Sequence, residues 1–461
     1  MKRLAGLILV FVMLLAALPA LADTTRTSGD FQYTLKSNGT ATIVGYTGSG
    51  DSIIIPQMLD GYTVTAIGDG AFFRKHKGSE KNRSVTLPDT IKSIGAFAFW
   101  NANITSINLP DGLDDIGKGA FVGCNSIAYR MSVNHPTFAV IEGALYNKSQ
   151  KKLIWGKEGA TIPEGIKIIG DYACYEVRNC GINKSGIVLP STIEEIGDYA
   201  FYGNQYSFSV PLGGLPGTKY LKKVDNFSRS ITLIWGEHLQ KIGRYAFQNI
   251  CLSDGGNDFN IQIPDSVTEI GEGCFFGFQG SNSNQRITIT ISSNSSLREI
   301  PAKAFYNDKS SERCSIKCNA PIVKIGSYAF YHNEVQSINM QHVELIGEGA
   351  FMSAQLNFGI SIPASCKTIS EDAFKDSRTD KNSITISNGV EVIESNAFAV
   401  RSNSISPIRL PTSLTSIAPD AFRDDAEFIV ERGTYAYRWA EENARNYSIY
   451  GETQNLDWLN N

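Results

Sequence analysis

The apolar positions of this chain follow one scheme, written many times. A run alternates apolar, polar, apolar and then reaches a proline. Examples are VTLPDTIKSIG from Val85, INLPDGLDDIG from Ile107, IVLPSTIEEIG from Ile187, IQIPDSVTEIG from Ile261 and IRLPTSLTSIA from Ile408. Alternation of this kind predicts a short strand buried on one side. Proline ends it, because it has no N–H for the ladder. Asp, Ser or Gly follow as turn formers. The second half reads I-G-x-x-A-F and predicts a tight turn, with Gly permitting the bend and Ala and Phe filling the inside. Its aromatic slot falls at Phe72, Phe99, Phe121, Cys174, Phe201, Phe247, Phe275, Phe305, Phe330, Phe351, Phe374, Phe398 and Phe422, thirteen copies in all. In EIGDYAF, Ile196, Ala200 and Phe201 are expected inside and Asp198 is expected to face water.

Most copies are 21 to 30 residues apart, but two gaps are 53 and 46 residues. The 46-residue gap holds a worn fourteenth copy, with Phe208, Val210, Leu221, Val224 and Phe227 keeping the apolar skeleton. The 53-residue gap holds NHPTFAVIEGALYNKSQKKLIWG, whose apolar runs around Val140 and Leu153 flank a polar turn at Asn147 to Gln150. That pattern predicts a β-hairpin budding from the array.

A unit this small cannot bury its own apolar side, so neighbours must stack to supply the missing wall. The predicted fold is a repeat solenoid of the leucine-rich repeat type: right-handed, mainly short parallel β-strands, with tight turns or short helical turns. Fourteen units at about 4.8 Å each predict one parallel sheet roughly 65 Å long, with the Phe slots in a column. The expected organisation is a signal peptide at 1–22, an N-terminal β-hairpin cap at 23–45 turning at Asn38-Gly39, the array at 46–425 with its hairpin insert near 138–157, a C-terminal cap at 426–450 and a polar tail at 451–461. The stretch from Thr434 to Asn446 has helical spacing and predicts a short closing helix.

The paired signature [IV]-x-[LI]-P-x-x-[IVL]-x-x-I-G-x-x-A-F resembles the BspA-like leucine-rich repeat family of bacterial surface and secreted proteins. The insert ending in GALYN is similar to a recurring insert of that family. The resemblance runs from about Tyr46 to Asp425. Cys174 in a Phe slot, and Pro301 and Ser370 in Gly slots, depart from it and predict irregular rungs. The resemblance implies a secreted or surface-associated scaffold for protein–protein interaction, adhering to host matrix proteins or to other cells.

Composition narrows this further. The chain has 461 residues, 42% hydrophobic and 19% charged, as an ordinary folded chain does. The N-terminus carries Lys2 and Arg3, an apolar stretch from Leu4 to Leu18, and Ala20-Leu21-Ala22. This is the layout of a secretory signal cleaved near Ala22. The net charge of −4 becomes −6 without Lys2 and Arg3. So acidic a chain has no broad footprint for nucleic acid, and nothing after the signal is apolar enough to span a membrane.

Candidate chemistry is sparse. The eight cysteines sit mostly in core slots, which favours buried thiols. Cys174 with Cys180 and Cys314 with Cys318 are the pairs near enough in sequence to test for bridging. The five histidines are scattered, without metal spacing. Asp254 to Asp258 is acidic but lacks the spacing of a calcium loop. No nucleophile elbow, phosphate loop or dinucleotide fingerprint occurs. The expectation is therefore a protein that is not an enzyme and takes no cofactor or metal. Two surfaces remain. One is a basic loop, Arg74, Lys75, Lys77, Lys81 and Arg83. The other is the outward strand face, with Thr86, Asn108, Thr232, Gln262, Lys317, Asn339, Ser361, Thr385 and Arg409, a ladder of small hydroxyls and amides without a Trp or Tyr stripe. That ladder also motivates the alternative reading, a glycan-binding module of a secreted polysaccharide-handling system.

Overall fold

A computed structural model describes residues 24–74, 82–178, 180–183, 186–187, 189–203, 205–207, 231–232, 235–253, 258–280, 286–308, 314–401 and 405–451. The signal segment, the worn copy, the polar tail and most of the 254–258 loop lie outside these residues. The chain winds as a β-solenoid in which each I-G phrase supplies one turn.

Each turn bonds to the next along three lines. The first is the predicted strand before proline. Phe259–Ile263, Ile287–Ile291 and Cys314–Cys318 pair in parallel, and Glu334–Ile338 follows through a register shift after Ile316. The second line was not predicted. The two residues before the Gly slot form a miniature strand, as in Glu195–Ile196, Lys241–Ile242 and Glu269–Ile270, all parallel. The phrase is thus a second sheet leading into a turn. The third line is the x-A-F-x turn itself. Alternate N–H groups donate to the following rung: Tyr172 to Asp198 O at 2.9 Å, Cys174 to Ala200 O at 2.7 Å and Glu176 to Tyr202 O at 2.8 Å.

The phrase glycine has a different purpose from the one predicted. Gly197, Gly243, Gly271 and Gly326 do not have left-handed backbones. A Cβ on any of them would come within about 2.4–2.5 Å of the preceding rung. Glycine is there so that two backbones can approach closely.

Phenylalanine fills the centre. Phe201, Phe247, Phe275, Phe305, Phe330, Phe351, Phe374, Phe398 and Phe422 stack with ring centroids 4.9 to 5.6 Å apart. Phe72, Phe99 and Phe121 form a shorter stack upstream. Between the two stacks stands Cys174, bonded to Cys180. The disulfide closes a six-residue return of the chain and packs against Gly156, where a Cβ would strike both sulfurs. The preference for free thiols is therefore overturned at this pair. Cys314 and Cys318 stay unbridged. They are four residues apart on one strand, so their Cα atoms are about 13 Å apart, beyond disulfide reach.

The expected single sheet is divided. The proline-half strands fall into five sheets, of four, two, seven, two and three strands. The insert is one cause. It is a three-stranded antiparallel meander, Phe138–Ile141, Ala144–Asn147 and Lys152–Trp155, rather than a hairpin budding outward. Its last strand pairs in parallel with Ile168–Ile169, so it starts the next miniature-strand sheet. Buried His135 fixes it to the array. Its Nδ1 accepts from the N–H groups of Thr137 and Phe138, both at 3.2 Å, and its Nε2 lies 2.9 Å from Pro110 O.

Both ends are capped. At the N-terminus, strands Arg26–Ser28, Phe31–Leu35 and Ala41–Tyr46 form an antiparallel meander, one strand more than predicted. Its third strand pairs in parallel with the first rung, Tyr62–Ile67. The closing helix is Tyr435–Glu442, capped by Thr434 Oγ1, which accepts from the Tyr437 N–H. It stops short of Asn446, which begins a strand, Asn446–Ile449, on the end of the last sheet. Trp439 of the helix covers Phe422 and Phe428 and so ends the aromatic column.

The column predicts a sharp contrast between faces. Phe330→Ala is expected to cost about 3–5 kcal/mol by opening a cavity in the stack. Thr385→Ala on the exposed strand face is expected to stay within about 0.5 kcal/mol. Urea denaturation midpoints of the two variants check this. Similar midpoints would contradict the assignment of the column as the core.

Candidate functional site

The surface that distinguishes this solenoid lies on the turn face. In most phrases the residue before Ala has a left-handed backbone, as at Phe97 (φ 56°), Tyr172 (60°), Tyr199 (55°), Tyr245 (52°) and Tyr328 (55°). For an L-residue this costs roughly 1–2 kcal/mol. It also turns the side chain across the neighbouring rung instead of straight into solvent. Tyr172, Tyr199 and Tyr245 stack with centroids 5.0 and 5.1 Å apart. A parallel row arises one residue after the Phe slot, with Trp100 5.5 Å from Tyr175 and Tyr175 4.6 Å from Tyr202. Phe97 meets both Trp100 and Tyr172 edge-on. Seven rings therefore form one patch, half-buried except at the buried Tyr175. A second, smaller stack joins Phe276, Tyr306 and Tyr331 at 4.6 Å spacings.

Where the stack of left-handed rings ends, glycine takes its place. A Cβ on Gly119 would lie 2.6 Å from the Phe97 ring, on Gly273 2.2 Å from Tyr245, and on Gly349 2.4 Å from Tyr328. Each terminal ring lies flat on the glycine of the next rung. Burial raises the phenol pKa values of Tyr172, Tyr175 and Tyr245 above the ordinary range, so all three are neutral donors at neutral pH. Tyr245 donates to Glu272 at 2.5 Å, and Tyr328 donates to Glu348.

Carboxylates rim the patch, though not as free groups facing water. Asp171 Oδ1 accepts from the Asp198 N–H at 2.9 Å, and Asp198 Oδ1 accepts from the Arg244 N–H at 2.7 Å. Asp198 Oδ2 holds the Arg244 guanidinium as well. Asp171 and Asp198 thus fasten one rung to the next, a role beyond the water-facing one expected of Asp198. This aromatic surface escaped the sequence reading, which sought rings on the strand face. The signal was present as the repeated Tyr of DYACY, DYAFY and RYAF.

The nine strand-face candidates do not make one row. Ile54 pairs with Thr86, and Asn108 with Arg130, in the four-stranded sheet. The Asn108 amide is spent on the Leu87 backbone, accepting from N and donating to O. Gln262 lines up with Thr290 and then Lys317, but the partner of Lys317 is Ser337, not Asn339. Thr232 pairs with Asn260, two residues out of line with Gln262. Ser361 and Thr385 pair in a sheet of their own. Arg409 lies over the Tyr450 ring at 3.7 Å. Of the basic loop, Lys75, Lys77 and Lys81 lie outside the described residues. Arg74 is half-buried, and Arg83 is buried in a strand, which removes it from the surface patch.

Among the described residues, no group of three or more His, Cys, Asp or Glu is placed to hold a metal ion. No helix among them is long and apolar enough to cross a membrane. Cys274, Cys314, Cys318 and Cys366 are buried thiols. Burial pushes Cys314 and Cys318 up to about 12 and Cys366 up to about 11.

Against known proteins, the family described as the BspA type leucine rich repeat region matches at residues 46–156, 157–213, 226–358 and 344–427. Three solved structures are similar in fold. A leucine rich cell surface protein from Faecalibacterium prausnitzii A2-165 is 19% identical, with 90% of this chain and 96% of that one covered and a TM-score of 0.38. A leucine-rich repeat protein from Bacteroides ovatus ATCC 8483 is 21% identical, covering 92% and 99%, at 0.35. The pneumococcal vaccine antigen PcpA is 13% identical, covering 94% and 99%, at 0.27. No curated protein matches.

Two outcomes are expected from this geometry. Gly273→Ala should destabilise by about 1–3 kcal/mol, since the new methyl must push Tyr245 aside. Adding Tyr245→Ala should recover at least about 0.5 kcal/mol of coupling in a double-mutant cycle; strict additivity would refute the cradle. Separately, iodoacetamide reacts with thiolates. Peptide mapping after exposure at pH 8 should find Cys274, Cys314, Cys318 and Cys366 unmodified until denaturant is added.

Proposed function

Because this chain belongs to the BspA-type leucine-rich repeat family, we propose that it is a secreted or cell-surface-associated scaffold that binds other proteins, adhering to host matrix proteins or to other cells. The observation that carries this reading is the seven-ring patch from Phe97 to Tyr245. Tyr, Trp and Phe are enriched at the cores of protein interfaces. They combine apolar area with a polar edge at low entropic cost, and they dominate the sites where truncation weakens binding most. Solenoids expose long surfaces suited to such partners.

The reading is of a binder and not an enzyme. The carboxylates around the patch are engaged between rungs, where they hold Arg244 and backbone N–H groups. Glycan binding is the weaker reading. A pyranose ring needs an open aromatic face, and here the faces of Tyr172, Tyr175, Tyr199 and Tyr202 are covered by one another.

The experiment compares binding of the full chain and its variants to immobilised matrix proteins and to intact cells by interferometry. Tyr199→Ala with Tyr202→Ala should weaken binding at least tenfold, about 1.4 kcal/mol or more. Ser361→Ala with Thr385→Ala should leave it unchanged. The reverse pattern would move the site to the strand face, and no saturable binder among the proteins and cells would sink the reading.

A further inference from the structure

Near the C-terminal end, the row just beyond the turn changes character. Glu334 pairs with Gln355, and Gln355 with Arg378. The Arg401 N–H donates to Ser377 O at 2.7 Å, repeating the bond from Arg378 N–H to Ala354 O at 2.9 Å. Arg401 therefore occupies the next place in the same row. Two guanidinium side chains are set on successive rungs about 4.8 Å apart, and Arg423 of the following rung reaches Val400 O from the other side. Together with Gln355 and Asn382 they line a cleft of about 640 Å³.

Like charges on neighbouring rungs repel, so anions placed against this row stabilise it. Part of that stabilisation is internal. Asp376 holds Arg401 through Nε at 3.0 Å, leaving its two Nη amines for another acceptor. Asp425 holds Arg423 through Nε and Nη2, at 3.0 and 2.9 Å. Arg378 is exposed, and among the described residues no carboxylate lies within ion-pair distance of it. Asp380 also lines the cleft. Three arginines against Asp376, Asp380 and Asp425 leave the site neutral as a whole. A dense polyanion gains little there, while one carboxylate finds a vacant fork. The guanidinium fork matches a carboxylate in two parallel hydrogen bonds, and the Asn382 amide suits a peptide backbone. A chain of net charge −4 repels acidic ligands on the whole, and the Arg378 fork offsets that repulsion locally.

We propose that this cleft is a carboxylate-binding site for an acidic segment of a protein partner, with Arg378 and Arg401 as its principal contacts. It rests on the reading of the chain as a protein-binding scaffold, but on residues separate from the aromatic patch.

The test uses the full mature chain and follows the arginine side-chain Nε–H resonances by NMR. The probes are three pentapeptides: Ac-Gly-Gly-Glu-Gly-Gly-NH2, its Gln counterpart, and Ac-Gly-Gly-Gly-Gly-Gly with a free C-terminal carboxylate. A heparin hexasaccharide is the fourth probe. The Glu peptide should bind saturably at millimolar concentration and at least about tenfold more tightly than the Gln peptide. Comparison with the free-carboxylate peptide tells whether a side chain or a chain end is preferred. Arg378→Gln should abolish the shift, and Arg378→Lys should weaken it, since charge remains and the fork is lost. Unchanged thermal melting of both variants shows that folding is not the cause. Equal binding of Glu and Gln peptides, or retention in Arg378→Gln, would overturn the proposal, as would tighter binding of heparin through Arg378. Tyr199→Ala with Tyr202→Ala should leave the peptide shifts intact. Peptide binding that fails while adhesion persists removes this site alone.

Discussion

The spacing between rungs governs this molecule. A rung has no inside of its own, and it acquires one only when the next rung lies at about the separation of paired strands. The Phe column meets that condition, with centroids 4.9 to 5.6 Å apart from Phe201 to Phe422, within the range where aromatic pairs attract. The other inter-rung devices keep to the same distance. Glycine at 197, 243 and 271 removes the Cβ that would hold backbones apart. Ser266, Ser365 and Ser413 hydroxyls each donate to a carbonyl of the preceding rung, at 2.7, 2.7 and 2.6 Å. Asp198 links rungs from the outside in the opposite sense, accepting from the Arg244 N–H of the following rung. Where the column is interrupted, at Cys174, a disulfide to Cys180 occupies the space a ring would fill.

That spacing also explains what was legible in the sequence. The apolar slots repeat because every rung meets the same neighbours, so thirteen phrases identified the solenoid and its core. The failures come from places where alternation does not describe the backbone. In the x-A-F-x turn, left-handed residues swing side chains sideways, so Tyr172 and Tyr199, which the strand-and-turn pattern gave no role, form a stack. The strand-face row was drawn from the repeat pattern, but beside Lys317 the pairing falls on Ser337, two residues before Asn339. The meander at 138–155 carries one more strand than its turn residues announce, because the first strand turns back at Glu142-Gly143, a signal outweighed by the polar run after Asn147. Arg83 looked like part of a basic loop but belongs to a strand and points inward.

The aromatic patch is not needed for the rungs to form. Gly119, Gly273 and Gly349 occupy the same left-handed position without strain, and those rungs stack as well as the others. Placing Tyr there costs roughly 1–2 kcal/mol each, while a stacked neighbour returns about 0.5–1.5 kcal/mol. The exchange is close to even for folding. Lys303, Asp372 and Asn396 hold the same left-handed slot without a ring, so the turn sets the conformation and the aromatic side chain is an addition to it, in keeping with the proposed binding role. The same logic applies to Arg378 and Arg401, whose shared register works against the sheet and whose carboxylate partners are incomplete.

The two surfaces are linked by geometry. Arg378 stands four residues past the Phe slot, the place that Gln205 and Cys251 hold in the rungs of Tyr199 and Tyr245. The arginine row therefore runs beside the aromatic row, displaced along the axis. Five rungs separate Tyr245 from Arg378, about 24 Å at the strand spacing, which an extended peptide covers in about seven residues. Between them lies the smaller stack of Phe276, Tyr306 and Tyr331. A partner segment with aromatic or apolar residues leading to an acidic one would meet these features in order. Recognition on a solenoid is then a matter of register: uniform rungs supply the ruler, and the rungs that break the pattern supply the marks on it.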